Sequence, residues 1–160
     1  MVGQISVASD AGTYAIRMTG DVRMVLCLSF DKFIRAMFED PQFDSVVFDL
    51  SLAEAVDSTT LGLMAKIALQ CRKVGVPRPV LVVTAAGMVR LLETMGFEEI
   101  FVITRSIGQG LDYAECLNCE GGSEEIFKQR VIDAHKVLMS LNEHNHQAFR
   151  ELVETLERES

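Results

Sequence analysis

Three apolar runs rich in β-branched residues mark the middle of this chain: Val46-Val47-Phe48-Asp49-Leu50, Val80-Leu81-Val82-Val83 and Ile100-Phe101-Val102-Ile103. The segments between them carry helical spacing, and this alternation constrains the fold more than any other feature. Short runs without polar alternation read as strands covered on both faces. A strand–helix–strand order joins neighbouring strands in parallel through right-handed crossovers. The spacing predicts one connecting helix over residues 59–73, stopped by Gly75 and Pro77, and a shorter one over 87–95, closed by Gly96. Upstream, residues 4–8 and 14–18 alternate apolar and polar side chains as half-buried antiparallel strands do, and Asp10-Ala11-Gly12 supplies a hairpin turn. Val25, Leu26, Leu28, Phe30, Phe33, Ile34, Met37 and Phe38 then predict an amphipathic helix that ends at Asp40-Pro41. A further short helix is expected over 111–116.

The chain has 160 residues, of which 49% are hydrophobic, enough for one domain with an appendage. A formal net charge of −8 argues against nucleic acid as a partner, because phosphate-backbone binding needs clustered Lys and Arg. No apolar run reaches the roughly 18 residues of a membrane span. The start, Met1-Val2-Gly3-Gln4-Ile5, lacks the basic and apolar regions of a signal peptide, so a cytoplasmic location is expected. An enzymatic role fares poorly. There is no Gly-x-Ser-x-Gly elbow, Gly108-Gln109-Gly110 lacks the rest of a dinucleotide fingerprint, and His135, His144 and His146 all fall in the tail, where solvated helix positions are expected. Neither metal nor cofactor is expected. Cys27 and Cys71 read as small buried hydrophobes. Cys116-Leu117-Asn118-Cys119, with His144 and His146 downstream, is the one candidate for a redox or zinc site, against the plainer reading of inert reduced thiols.

The seam after the first apolar run carries the functional signal. A short loop leads to Val56-Asp57-Ser58-Thr59-Thr60-Leu61-Gly62, where Asp57 or Ser58 can accept hydrogen bonds from the unpaired N–H groups of a first helical turn. On this local reading Ser58 is an N-cap, Asp21 a turn residue and Asp57 a cap-region charge. A phosphate on Ser58 would add roughly 1.5–2 negative charges at the positive end of a helix, which tolerates them. The same charge beside Asp57 would repel acidic partner groups and disrupt a desolvated interface.

This layout resembles the STAS-domain anti-sigma factor antagonists. Their signature is a hydrophobic strand ending in Asp, a loop, and Asp-Ser-Ser/Thr-Gly-Leu-Gly at a helix start. Here it stands as Asp57-Ser58-Thr59-Thr60-Leu61-Gly62, with Thr60 where many members have Gly. Thr19-Gly20-Asp21 resembles the family's turn after the second strand, and Met95-Gly96-Phe97 its late Gly before the last strand. The resemblance covers residues 3–112 and implies an α/β fold, a STAS-like mixed, mostly parallel sheet with helices packed mainly on one face. It further implies a phosphorylation-controlled partner switch that is a substrate and not an enzyme. An anti-sigma-type serine kinase would use ATP to modify Ser58, and a PP2C-like metal-dependent phosphatase would reverse it. The unmodified protein would bind an anti-sigma factor or other regulator and the modified form release it. Asp21, Asp57, Thr59, Thr60 and Gly62 would form the switch loop and partner-binding surface, with Thr59 and Thr60 as alternative acceptors. A non-switching STAS adaptor subunit is the alternative.

Residues 113–160 are expected to form a helical extension, as in the Gram-negative partner-switching type. Gly121-Gly122-Ser123 is a break with Ser123 as N-cap. Phe127, Val131, Ala134, Leu138 and Leu141, then Ala148, Leu152 and Leu156, make a heptad-like stripe on a helix of roughly 30 residues, interrupted near 142–146. The stripe is expected to pack back on the domain and extend the partner surface, leaving the Ser58 loop open; a coiled coil is the other use of such a pattern.

Overall fold

A two-residue turn at Ala11-Gly12, both in the left-handed region at φ 50° and 93°, sets the register of the sheet. Such a turn twists the way its flanking strands do. It joins β1 (Gln4–Asp10) to β2 (Thr13–Val22) as an antiparallel hairpin. The structure is a computed structural model and describes residues 2–23, 28–106, 115–117 and 123–159. After the hairpin come α1 (Leu28–Glu39), β3 (Ser45–Val56), α2 (Ser58–Val74), β4 (Val80–Val82), α3 (Ala86–Thr94), a 3₁₀ turn (Phe97–Glu99) and β5 (Val102–Thr104). β6 (Glu115–Leu117), α4 (Glu124–Leu141) and α5 (Glu143–Arg158) complete the chain. The strands form one sheet in the order β5-β4-β3-β2-β1-β6. β2 to β5 run parallel, and β1 pairs antiparallel with both β2 and β6.

The core lies between one face of this sheet and the helices. Ile5, Val7, Ile16, Met18, Phe48, Leu50 and Leu81 from the strands meet Phe30 and Met37 of α1 and Leu61, Met64, Ala65 and Cys71 of α2, all buried. The opposite face is mixed in polarity and burial along the first apolar run, which departs from the expectation of a strand covered on both faces. Val47 is only half-buried, and Asp49 lies within the strand rather than at its end. Asp49 stands in register with Arg17, itself opposite Ser6, and is 5% exposed. Arg17 Nε donates to its Oδ2 at 3.1 Å; the Ser51 amide and hydroxyl donate to its Oδ1 at 2.9 and 2.6 Å.

Three other expectations change. β3 continues to Val56, so the segment read as a loop before Asp57 is strand. Thr19-Gly20-Asp21 is no turn; it belongs to β2, where register shifts between Arg17 and Thr19 and between Gly20 and Asp21 bulge the pairing with β3. The described part of the 111–116 segment is strand, because pairing with the otherwise free edge of β1 satisfies its backbone; residues 111–114 lie outside the described residues. So do Val25, Leu26 and Cys27, the first part of the stripe assigned to α1.

The tail packs in cis. α4 lies on α2 and α5 on α4, and Arg130 of α4 pairs with Asp31 of α1. Ser123 caps α4 by accepting from the Ile126 amide at 3.2 Å, as expected. The interruption falls at Asn142, whose extended backbone (φ −164°) separates the two helices while its Oδ1 accepts from the Asn145 amide at 2.8 Å. Asn145, 1% exposed, donates to the carbonyls of Met95 at 2.8 Å and Leu138 at 2.9 Å, tying the α4–α5 junction to the end of α3. The stripe is partly rephased. α5 buries Asn145 and Val153 with Phe149 against the core, leaving Ala148 and Leu152 exposed.

Two expected outcomes follow from this packing. Deleting residues 123–160 uncovers α2 and removes buried Ile132, Leu138 and Val153. At about 1.5–3 kcal/mol per fully buried side chain, urea unfolding should show a loss of several kcal/mol; unchanged stability would mean that the tail contributes nothing to the fold. The second outcome concerns acid. Burial disfavours the charged form of Asp49, but hydrogen bonds from Ser51 and Arg17 outweigh it and hold the carboxyl below its ordinary value. A depressed folded value means that its stabilisation is full above about pH 4 and fades as pH falls through that lower value. Asp49→Asn should therefore flatten the decline of stability below that pH in denaturant titrations at stepped pH; identical slopes would contradict this.

Candidate functional site

β3 runs into α2 with only Asp57 between them, at the C-terminal edge of the parallel strands. The Asp57 amide donates to the Val22 carbonyl at 3.2 Å, fixing this junction against the end of β2. Asp57, and not Ser58, is the N-cap: its Oδ1 accepts from the Thr60 amide at 2.8 Å. Ser58 occupies the first helical position, where its hydroxyl is not needed for capping.

That hydroxyl meets the tail. Ser58 Oγ lies 2.8 Å from His135 Nε2 of α4, and His135 Nδ1 lies 2.6 Å from the Val131 carbonyl oxygen. A carbonyl only accepts, so Nδ1 carries a proton. In the neutral ring Nε2 is then the acceptor, and Ser58 donates to it. The imidazole is 2% exposed and packs edge-on against Phe149, with ring centroids 4.9 Å apart. The expectation of a solvated His135 is thus corrected. Its signal was available: Val131, Ala134, His135 and Leu138 share one helical face. His144 is exposed and His146 half-buried.

Close helix crossing makes the contact possible. Gly62 lies one turn after Ser58, and a Cβ there would stand 2.3 Å from the Ala134 carbonyl oxygen and 2.7 Å from the Ala134 Cβ. Only glycine lets α4 approach this near, and the approach carries His135, the next residue, to Ser58.

The remaining candidates separate by burial. Thr59 is 6% exposed and Thr60 fully buried, whereas Ser58 is half-exposed. Asp21 is half-exposed on β2 beside the Ala55–Val56 end of β3 and pairs with Arg23 at 3.4 Å. Asp21 and Asp57 therefore belong to adjacent strand ends, while Gly62 lies beneath α4. Burial pushes the Cys71 thiol up to about 11, which leaves it unreactive. Cys116 is a free thiol on β6, and Cys119 lies outside the described residues. Among the described residues no cluster of three or more His, Cys, Asp or Glu side chains could hold a metal ion, and no helix is long and apolar enough to cross a membrane.

A STAS domain model matches residues 4–110. The chain belongs to the STAS domain family. The solved structure of an anti-sigma factor antagonist from Mycobacterium paratuberculosis is similar at 20% identity and a TM-score of 0.49, over 66% of this chain and 88% of that one. No curated protein matches.

Gly62→Ala should overpack the crossing and destabilise the protein by about 1–3 kcal/mol, read by urea unfolding. The His135 ring resonances should move with it, because the imidazole loses its position on Ser58. A variant with wild-type stability and unchanged resonances would show that the crossing yields freely.

Proposed function

We propose that this protein is an anti-sigma factor antagonist that works as a partner switch controlled at Ser58. An anti-sigma-type serine kinase transfers phosphate from ATP to the Ser58 hydroxyl, and a PP2C-like phosphatase removes it. The unmodified form binds an anti-sigma factor or related regulator in the cytoplasm, and the modified form releases it. The protein is the substrate of this chemistry, not its catalyst.

One observation carries the reading. Of three adjacent hydroxyls at the helix start, Ser58 alone is half-exposed, while Asp57 takes over the capping that would otherwise occupy it. A phosphate there meets the positive end of α2, so the sheet and its core have little reason to respond. Its effect falls on the surface around it. The Ser58 hydrogen bond to His135 is lost, and a strongly hydrated anion appears where a partner would have to exclude water.

Incubation with such a kinase and ATP should add one phosphate, mapped to Ser58 by mass spectrometry and abolished by Ser58→Ala. The melting transition should change by only about 1 kcal/mol of stability, while affinity for the regulator drops at least about tenfold. Phosphate located on Thr59 or Thr60, or a large stability loss at unchanged affinity, would overturn the assignment.

A further inference from the structure

Beside Ser58 opens a cleft of about 580 Å³ that exists only because the tail folds back. The start of α2 forms one wall, and α4 and α5 form the others. Ala134 and Leu138 of the stripe are buried, but Phe127 and Leu152 remain 40% and 42% exposed at the cleft, with Val131 and Leu156 half-buried beside them. Phe127 and Val131 are one turn apart on α4, and Leu152 and Leu156 one turn apart on α5. Two helices offering paired apolar positions at this spacing match the ridges of a third helix laid along them. The rim is acidic: Asp57, Glu124 and Glu159 face Lys128 as the single Lys or Arg among the described lining residues.

We propose that the cleft receives an amphipathic helix of a partner protein, its apolar face on Phe127, Val131, Leu152 and Leu156 and its flanking Lys or Arg residues against the acidic rim. This names the partner chemistry for the Ser58 switch and, in that coupling alone, rests on the reading of Ser58 as the modified residue. With a basic partner, charge repulsion is not what releases it. A phosphoryl group on Ser58 occupies the cleft that this residue lines, so the partner helix cannot seat and the apolar contacts are lost. Exposed ion pairs at a rim contribute less than burial of large apolar side chains, so the added attraction does not compensate.

The test uses the full chain and two synthetic helical peptides with the same leucine pattern, one with lysines and one with glutamates on the remaining positions. In NMR titrations the lysine peptide should bind and shift resonances of Phe127, Val131, Leu152 and Leu156, and the glutamate peptide should not. Leu152→Gln and Phe127→Gln, both at exposed positions, should each weaken binding at least about tenfold, as should phosphorylation of Ser58. Equal binding of both peptides, indifference to both variants, or shifts confined elsewhere would overturn the proposal. So would a full-chain dimer that Leu152→Gln dissolves, because the occupant would then be a second copy. If no kinase modifies Ser58 while the lysine peptide still binds the cleft, the switch reading fails and the docking site stands. Phosphorylation with an empty cleft gives the reverse.

Discussion

The crossing of α4 over α2 at Gly62 and Ala134 is the contact on which the functional end of the molecule depends. Interhelical distance is set by what stands between the backbones, and here nothing does: the position a Cβ would take at Gly62 is 2.3 Å from a carbonyl oxygen. Without that closeness the His135 imidazole could not reach Ser58, and the apolar residues of α4 and α5 would not form a cleft at the start of α2. A glycine that reads as part of a loop signature thus acts from beneath a helix, one turn away from the residue it serves.

Division of labour at the helix start is the second determinant. Asp57 satisfies the Thr60 amide and holds the junction to Val22, which leaves Ser58 with a hydroxyl that has no duty to its own helix. Thr59 and Thr60 follow as buried residues. Three consecutive hydroxyl residues therefore differ sharply in what can reach them, and the difference comes from helical periodicity alone: a 100° step per residue moves a side chain from surface to interior.

The architecture was legible in the sequence because its signals are local. β-Branched runs, the turn signal at Asp10-Ala11-Gly12 and glycines after helices each act through their own backbone, and the sheet with its crossovers follows from their order. What escaped depends on distant partners. β6 is a strand because β1 has an open edge, and β3 extends through residues 51–55 because, with extra residues bulged at its two register shifts, it keeps pairing with β2 as far as Val22. His135 looks like a surface residue until Ser58 and Phe149 are placed around it. Asp49 sits inside an apolar run because Arg17 and Ser51 complete its hydrogen bonding. In each case the deciding neighbour lies far along the chain or belongs to another element.

Asn145 anchors the α4–α5 junction to the carbonyl of Met95, at the foot of the helix preceding the last parallel strand. A tail fastened there cannot detach as an independent arm while α3 stays folded. Its amides should exchange with solvent only through openings that also loosen the sheet, making appendage and domain one cooperative unit. The lifetime of the environment around Ser58 is then inherited from the global stability of the fold, and a substitution far from the serine, in α3 or in the core beneath it, acts on the site by changing how often the whole unit opens.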